Sequence, residues 1–222
     1  MFWKRTRKTY RLSDVDKNIH SLADLKNKYV VLIIDDEQFD IIDVLRSNGF
    51  RVDHWRDIES VDAAAKYPIV ACDISGIGKK LSPGSPSGGI HVLRELKKHY
   101  PDKYLIQYST KNPGLDRKLT SADIIYPKDN PVDAWQEDIE RSLAQLGNPK
   151  SRWLRIRRRL SDEGVDALEI YNLEQAFIKE VLGSEFGMEK VAKESSLTPE
   201  LKTMVVTFVT TVVSEAFKAS LS

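Results

Sequence analysis

The chain has 222 residues, of which 41% are hydrophobic and 30% charged, and its formal net charge at pH 7 is +1. This length suits one large domain or two modest ones. The apolar share supports a hydrophobic core and excludes disorder over the whole chain. The near-zero net charge gives no global sign of a nucleic-acid or membrane protein. A single cysteine, Cys72, excludes an intramolecular disulfide framework and a cysteine-based zinc finger. No signal peptide or membrane span is recognisable, so we expect a cytoplasmic protein.

Residues 1–27 are interpreted as a basic N-terminal extension in which positive charges alternate with aromatic residues. The charges are Lys4, Arg5, Arg7, Lys8 and Arg11, and the aromatic residues are Phe2, Trp3 and Tyr10. Such a segment is typical of an arm that binds nucleic acid or anionic lipid. It is also typical of a solvated tail, or of a strap whose aromatic residues pack on the body.

Residues 28–147 alternate between apolar runs and segments with a helical stripe. The apolar runs 29–34, 50–55, 69–72, 104–108 and 124–126 predict five strands. The stripes predict helices over 39–48, 58–66, 90–100, 115–120 and 135–146. This alternation is typical of an α/β fold, in which helices cover both faces of a parallel sheet.

Polar residues follow the predicted strands. They are Asp35 and Asp36 after the first, Asp73 after the third, Ser109 and Thr110 after the fourth, and Lys128 after the fifth. Ligands of such sheets bind at the carboxyl ends of the strands. Three carboxylates in one crevice repel each other unless a cation lies among them, and hard oxygen ligands suit Mg²⁺. A carboxylate beside Mg²⁺ is a nucleophile toward phosphorus, while a lysine and a hydroxyl bind phosphoryl oxygens. The residues therefore predict phosphoryl acceptance at an aspartate.

Residues 29–146 resemble the receiver domain of bacterial two-component response regulators. The run VVLIIDDE resembles the family's acidic-pair strand, and IVACD resembles its phosphoacceptor strand. The run GGIHVLRELKKHYPDKYLIQYST resembles its third helix and switch strand, and SADIIYPK the segment with its lysine. The resemblance covers a little over half of the chain. It implies a five-stranded, doubly wound, flavodoxin-like parallel sheet.

By this resemblance, Asp73 accepts a phosphoryl group from a histidine kinase or a phosphotransfer protein. Ser109 senses that group and Lys128 pairs with it. The Mg²⁺ ligands that the resemblance implies are Asp35, Asp36, Asp73 and the backbone carbonyl of Ser75.

Four features depart from the family's pattern. The Gly/Pro/Ser-rich loop 74–89 makes the segment between Asp73 and Ser109 longer than is usual. We interpret this loop as a lid on the site or as a block to a partner kinase. Asp129 follows the lysine where proline is usual, and Thr110 follows Ser109 where a small residue is usual. Ile125 stands where the switch aromatic is usual, with Tyr126 beside it. These departures keep open a pseudo-receiver that has the fold and signals without phosphate.

Residues 148–222 predict an all-α module. Asn148 and Pro149 are a helix start signal, and five arginines follow at 152, 155, 157, 158 and 159. Further apolar stripes run through 170–181, 188–195 and 201–217. The last helix carries hydroxyls on its second face, at Thr203, Thr207, Thr210, Thr211 and Ser214. An uncharged polar face predicts contact on both sides, in a helical bundle or a dimer interface.

The sequence contains no enzyme signature, so we expect a signalling protein and not an enzyme. Its helical module is predicted to act through protein contacts, as a homodimer or with a protein partner. Two alternatives stay open. One is a phosphorylation-independent adaptor. The other is a nucleic-acid-binding regulator that uses the basic segments 4–11 and 150–159.

Overall fold

The computed structural model describes residues 10–81, 83–84, 88–110, 121–185 and 187–220, with side chains up to Lys218. It divides into two compact units. The α/β unit spans His20–Gly147, and the helical unit combines residues up to Ile19 with those from Asn148 onward. The helix predicted over 115–120 and the cations Lys4, Arg5, Arg7 and Lys8 lie outside the described residues.

The α/β unit contains a five-stranded parallel sheet in the order β2-β1-β3-β4-β5. Its strands are β1 (Val30–Ile34), β2 (Arg51–Trp55), β3 (Ile69–Asp73), β4 (Tyr104–Ser109) and β5 (Ile124–Pro127). The central strands β3 and β4 are buried throughout, because both faces of the sheet are covered. This order is that of flavodoxin-like folds, so the predicted fold class is confirmed.

Four helices of this unit lie in the described ranges: α1 (Leu22–Lys28), α2 (Ile41–Ser47), α3 (Gly88–His99) and α4 (Val132–Leu146). One face of the sheet packs against residues of α1, α2 and α4, with Trp135 at the centre. The other face packs against α3 and a short 3-10 helix, Val61–Ala64. The sheet is therefore doubly wound. Cys72, on β3, is a buried core residue.

The α-helix predicted over 58–66 is wrong, because only the 3-10 helix Val61–Ala64 forms there. The Asp57 carboxylate accepts hydrogen bonds from the backbone N–H groups of Ile58 and Gly78, at 2.8 and 2.6 Å. Such local bonds compete with the first turn of a helix. The Ser60 hydroxyl caps the shorter helix by accepting from the Ala63 N–H.

Helix α1 lies in the segment that the sequence analysis assigned to the basic extension. Ser21 and Asp24 form a capping box at its start. Leu25 is buried and lies beside Gly147, and Lys26 pairs with Glu140 of α4 at 2.7 Å. These contacts attach α1 to the α/β unit.

The helical unit contains a 3-10 helix, Leu12–Val15, and four α-helices: α5 (Pro149–Asp162), α6 (Ala167–Val181), α7 (Met188–Glu194) and α8 (Pro199–Ser220). The rings of Trp153, Phe177 and Phe208 form the centre of its core. Tyr10 packs against this core and its carbonyl accepts a hydrogen bond from Gln175. The strap interpretation therefore fits Tyr10. None of the helices in the described ranges has the length and apolar content that a membrane span needs.

The hydroxyl face of α8 is exposed in the single chain, at Thr203, Thr207, Thr210, Thr211 and Ser214. Phe217 is also 64% exposed, although its spacing placed it on the apolar face. Burial of both faces within one bundle is therefore wrong for the single chain, because α5, α6 and α7 cover only one side of α8. The predicted dimer interface stays a prediction.

The arginines of α5 differ in their surroundings. Arg152 is buried and pairs with Glu215 of α8 at 2.9 Å. Arg157 pairs with Glu174 at 3.5 Å and Arg159 with Glu163 at 2.6 Å. Acidic side chains of the same unit thus neutralise part of this basic run.

Candidate functional site

The carboxyl ends of β1, β3 and β5 bring three of the predicted site residues into contact. The Lys128 ammonium lies 2.9 Å from Asp35 Oδ2 and 3.4 Å from Asp73 Oδ2. It also lies 3.1 Å from Glu37 Oε2. The side chains of Lys128, Asp35 and Asp73 are 12%, 0% and 6% exposed, whereas that of Glu37 is 71% exposed and faces solvent. The site therefore places one fixed cation among three carboxylates.

Asp35 is fully buried and is the most heavily bonded of these carboxylates. Its Oδ1 accepts from the Glu37 backbone N–H at 2.9 Å and lies 3.1 Å from the Lys128 ammonium. Its Oδ2 contacts the same ammonium and accepts from the Tyr108 hydroxyl at 3.0 Å. Burial of this charge is therefore compensated on both oxygens.

The Asp36 carboxylate contacts loop 74–89. It pairs with Lys79 at 3.3 Å and lies over Gly76. Gly76 has a φ of +76°, and a Cβ there would lie 2.3 Å from Asp36 Oδ2. Glycine is therefore required both by the backbone conformation and by the close approach of the carboxylate.

Loop 74–89 is anchored beside the site at the positions that the structure describes. Ile77 is buried, Gly78 donates to Asp57, and Lys80 pairs with Glu59. These contacts fix the loop to the segment that follows β2. The predicted lid or block to a kinase stays a prediction.

Asp73 is the buried carboxylate at the end of β3. Its Oδ1 accepts from the Ser75 backbone N–H at 3.0 Å. Burial raises the pKa of the Asp73 carboxyl above its ordinary value, although the Ser75 N–H and Lys128 act in the opposite direction. Helix α3 begins against this strand, since a Cβ on Gly89 would lie 2.0 Å from the Asp73 backbone oxygen.

The charges of the crevice also set the ionisation of its other groups. Burial alone would lower the pKa of the Lys128 amine, but hydrogen bonds to Asp35 and Glu37 and the charges of Asp35 and Asp73 raise it above its ordinary value. Burial and the neighbouring Asp35 charge raise the pKa of the Tyr108 hydroxyl. Lys128 is therefore a permanent cation and Tyr108 a permanent neutral donor at ordinary pH.

The remaining predicted residues have simpler positions. Ser109 is buried, and its backbone carbonyl accepts from the Lys128 backbone N–H at 2.8 Å. Thr110 is exposed. Tyr126 is buried beside Trp135, and its hydroxyl bonds to the Ala134 carbonyl and to Asp138 on α4. Its ring thus lies under α4, as expected for a strand residue that faces away from Ile125.

Sequence analysis did not identify Glu37, Phe39, Lys79 or Tyr108 as part of the site. Tyr108 stacks on Phe39 with ring centroids 5.1 Å apart, and the Lys128 ammonium lies 5.6 Å from the Phe39 ring. The signal for Tyr108 is its register, because it pairs directly with Asp73 across β3 and β4. Sequence analysis treated Tyr108 only as a strand residue, because it lies within the apolar run 104–108.

A cavity of about 610 Å³ lies in the helical unit between α6 and α7. Its charged lining is largely bonded within the unit. Lys179 pairs with Glu185 at 2.7 Å, and Glu169 accepts from the Ser196 hydroxyl at 2.6 Å.

The strand order decides the fold. Residues 20–147 have a flavodoxin-like fold, which is the fold that the resemblance to receiver domains implies. Among solved structures, the chain is similar to NtrX from Brucella abortus in complex with ADP, with 20% identity and a TM-score of 0.40. It is also similar to the response regulator StyR (16%, TM-score 0.42) and to full-length FixJ from B. japonicum (19%, TM-score 0.42).

These similarities differ in extent. The match covers 74% of this chain but only 34% of NtrX. It covers 86% of this chain and 92% of StyR, and 88% of this chain and 98% of FixJ. No protein-family model matches the chain, and no curated protein matches it.

The donor set of the receiver crevice is compatible with Mg²⁺. Among the described side chains, no group of three His, Cys, Asp or Glu lies together as a metal cluster. Mg²⁺, however, is commonly held by only one or two carboxylates and keeps several waters. Asp36 pairs with an exposed lysine, Lys79, and Asp73 accepts one backbone N–H, so each is a carboxylate of the kind that Mg²⁺ binds. All four predicted ligands, Asp35, Asp36, Asp73 and Ser75, stay predictions.

Proposed function

We propose that this protein is a response regulator that accepts a phosphoryl group on Asp73. The observation that carries the proposal is the contact of Lys128 with both Asp73 and Asp35 at the carboxyl edge of the sheet. A fixed ammonium beside a buried carboxylate is the arrangement that neutralises charge on a transferred phosphoryl group. The fold of the α/β unit agrees with this role.

The transfer is a substitution at phosphorus. A carboxylate oxygen of Asp73 forms a bond to phosphorus while the bond from phosphorus to the donor breaks. The donor leaves as imidazole from a phosphohistidine, or as acetate from acetyl phosphate. Lys128 pairs with a phosphoryl oxygen, and the Ser109 hydroxyl donates to another. Mg²⁺, when bound, neutralises phosphoryl charge.

The proposed output is a change in protein contacts made by the helical unit. Phosphorylation shifts an equilibrium between two arrangements of the sheet's last strands and helices, and so alters an interface. The exposed hydroxyl face of α8 is the surface we assign to a homodimer or a protein partner. A histidine kinase or phosphotransfer protein is the proposed donor.

The test is intact mass after incubation with acetyl phosphate and Mg²⁺. We expect a labile phosphoryl adduct in the wild type and none in Asp73→Asn. Absence of the adduct in a folded wild-type protein contradicts phosphoryl acceptance. In that case the phosphorylation-independent adaptor becomes the better proposal.

A nucleic-acid-binding regulator is the remaining alternative. It requires salt-dependent retention on DNA or RNA that is lost when the exposed arginines Arg157 and Arg158 are replaced by alanine. The pairing of Arg157 and Arg159 with acidic residues of their own unit favours the protein-contact proposal.

A further inference from the structure

We propose that residues 1–9 of this chain dock in the cavity between α6 and α7, which selects them by their charge and their aromatic residues. The occupant is a segment of the same chain that lies outside the described residues. The inference goes beyond the proposed function, because it concerns the helical unit and involves no phosphoryl group.

The first argument is the place where the described chain begins. The backbone carbonyl of Tyr10 accepts a hydrogen bond of 3.0 Å from Gln175 Nε2, and Gln175 lines the cavity. Tyr10 and Leu12 pack against the core of the helical unit, in which Val15 is fully buried. The segment before Tyr10 therefore continues an existing interface and starts at the rim of the cavity.

The second argument is the length of this segment. The sequence places nine residues before Tyr10, and an extended chain of that length spans about 30 Å. The cavity lining on α6 runs from Asp166 to Lys179, which is about 20 Å at the helical rise. The segment can therefore reach all of this lining. Because a short link to Tyr10 holds it nearby, it acts at an effective concentration on the order of millimolar.

The third argument is charge complementarity. Among the described residues, the cavity lining carries four carboxylates and one cation, namely Asp166, Glu169, Glu185, Glu194 and Lys179. Lys179 pairs with Glu185 and so neutralises one carboxylate. Asp166 and Glu169 accept hydrogen bonds from backbone N–H groups and the Ser196 hydroxyl, which leave both negative charges in place. The segment has no acidic residue and supplies the four cations Lys4, Arg5, Arg7 and Lys8.

The fourth argument is the apolar part of the cavity lining. Leu168 lines the cavity and is 66% exposed, and Leu173, Ala176 and Val191 also contribute to its lining. Aromatic side chains bury large apolar areas when they dock, and the segment supplies Phe2 and Trp3. A lining that is both acidic and apolar thus fits a basic, aromatic peptide, whereas its carboxylates would repel the phosphates of a nucleic acid.

The experiment measures paramagnetic broadening in the full chain by NMR. A nitroxide is attached at Thr6→Cys, which keeps every cation and aromatic residue of the segment. Cys72 is fully buried, and burial raises the pKa of its thiol, so the wild type is expected to take no label under the same treatment. Any labelling is therefore specific to the segment.

The expected broadening is local. The amide signals of Leu168, Asn172 and Val191, which line the cavity, are expected to be lost or strongly weakened. Those of Thr211 and Ser214 on the exposed face of α8 are expected to stay sharp. Broadening confined to the residues next to Tyr10 overturns the inference, because it indicates a solvated segment.

Asp166→Asn/Glu169→Gln is the charge test. It removes two negative charges from the cavity but keeps an acceptor for the cap of α6 and for Ser196. The broadening is expected to fall several-fold, as it should in the wild type at high salt. Asp162→Asn/Glu163→Gln is the matched control, because both residues are exposed and lie outside the lining described above. It is expected to leave the broadening as in the wild type.

Three further outcomes decide the inference. Equal broadening in the charge variant and the control overturns it. Broadening in a mixture of spin-labelled ¹⁴N protein and unlabelled ¹⁵N protein also overturns it, because the occupant is then the segment of a second copy. If the charge variant does not fold, Lys4→Gln/Arg5→Gln removes two charges from the segment instead. It is expected to give the same loss of broadening, and no loss overturns the inference.

Discussion

Each unit of this protein buries a cation beside an aromatic ring, and the two sites differ in the charges around it. Lys128 lies 5.6 Å from the Phe39 ring, and Arg152 lies 5.6 Å from the Phe208 ring. Lys128 faces the carboxylates of Asp35, Glu37 and Asp73. Arg152 pairs with Glu215 and so connects α5 to α8. Around Lys128 the negative charges outnumber the cation, which suits a site that binds a further cation. The pair of Arg152 and Glu215 is neutral and stabilises the packing of α5 on α8.

The largest expected effect is on the two aromatic cores, each tested by one tryptophan. Trp135 and Trp153 are both fully buried. Trp135→Ala and Trp153→Ala are each expected to cost about 3–5 kcal/mol, because each leaves a large cavity. Hydrogen exchange should show lost protection in the sheet for the first variant and in α5–α8 for the second. Equal loss of protection in both units for either variant contradicts two separate cores.

The buried cations give the second test. Lys128→Met is expected to destabilise the α/β unit by up to about 3–5 kcal/mol, because it leaves buried carboxylates without their cation. Mg²⁺ should restore part of this stability. Arg152→Met, the matched variant, should destabilise the helical unit without any recovery by Mg²⁺. Urea unfolding with and without Mg²⁺ measures both, and recovery of both variants would contradict the distinction between the sites.

Alkaline pH gives a third and smaller difference. Burial and a hydrogen bond to Asp53 raise the pKa of Tyr67 to about 12, above its ordinary value of 10.0. Between these pH values the folded α/β unit holds a proton that the unfolded chain has lost, so its free energy of unfolding falls as pH rises. Urea unfolding of the wild type and of Tyr67→Phe, measured across this range, checks this. If Tyr67→Phe leaves the pH dependence of the free energy of unfolding unchanged, that dependence comes from groups other than Tyr67.

The smallest effect is expected from exposed ion pairs. Lys79 pairs with Asp36 in the α/β unit, and Lys179 pairs with Glu185 in the helical unit. Lys79→Ala and Lys179→Ala should each change stability by less than about 1 kcal/mol, and less still at high salt. Only Lys79→Ala should raise Mg²⁺ affinity, because it releases Asp36. An equal change in both variants would exclude a specific effect at the site.

The sheet and its polar edge could be predicted because parallel strands carry two readable signals. Continuous apolar runs predict the strands, and a polar residue at the end of a run predicts its place at the carboxyl edge. Lys128, Asp35 and Asp73 were reached in this way and lie in contact. Tyr108 was not predicted as part of the site. Its hydrogen bond to Asp35 depends on strand register and on the packing of Phe39, and hydrophobic periodicity reveals neither.

Other differences also have local causes. The helix predicted over 58–66 shortened because an aspartate carboxylate bonds the backbone where its first turn would start. Helix α1 was missed although Ser21 and Asp24 carry a capping signal, because its seven residues are too few for a clear stripe. The hydroxyl face of α8 was predicted to be buried because it carries no charge. In the single chain this face is exposed to solvent, so an uncharged polar face does not by itself predict burial.

The glycine pair at the start of α3 has a mechanical consequence. A side chain at Gly88 would overlap the Ile77 carbonyl, and one at Gly89 would overlap that of Asp73. The start of the helix therefore contacts the end of β3 through Gly89 and loop 74–89 through Gly88, in both cases backbone to backbone. We therefore expect a displacement at the end of β3 to move the start of α3 directly, because only backbone atoms separate them.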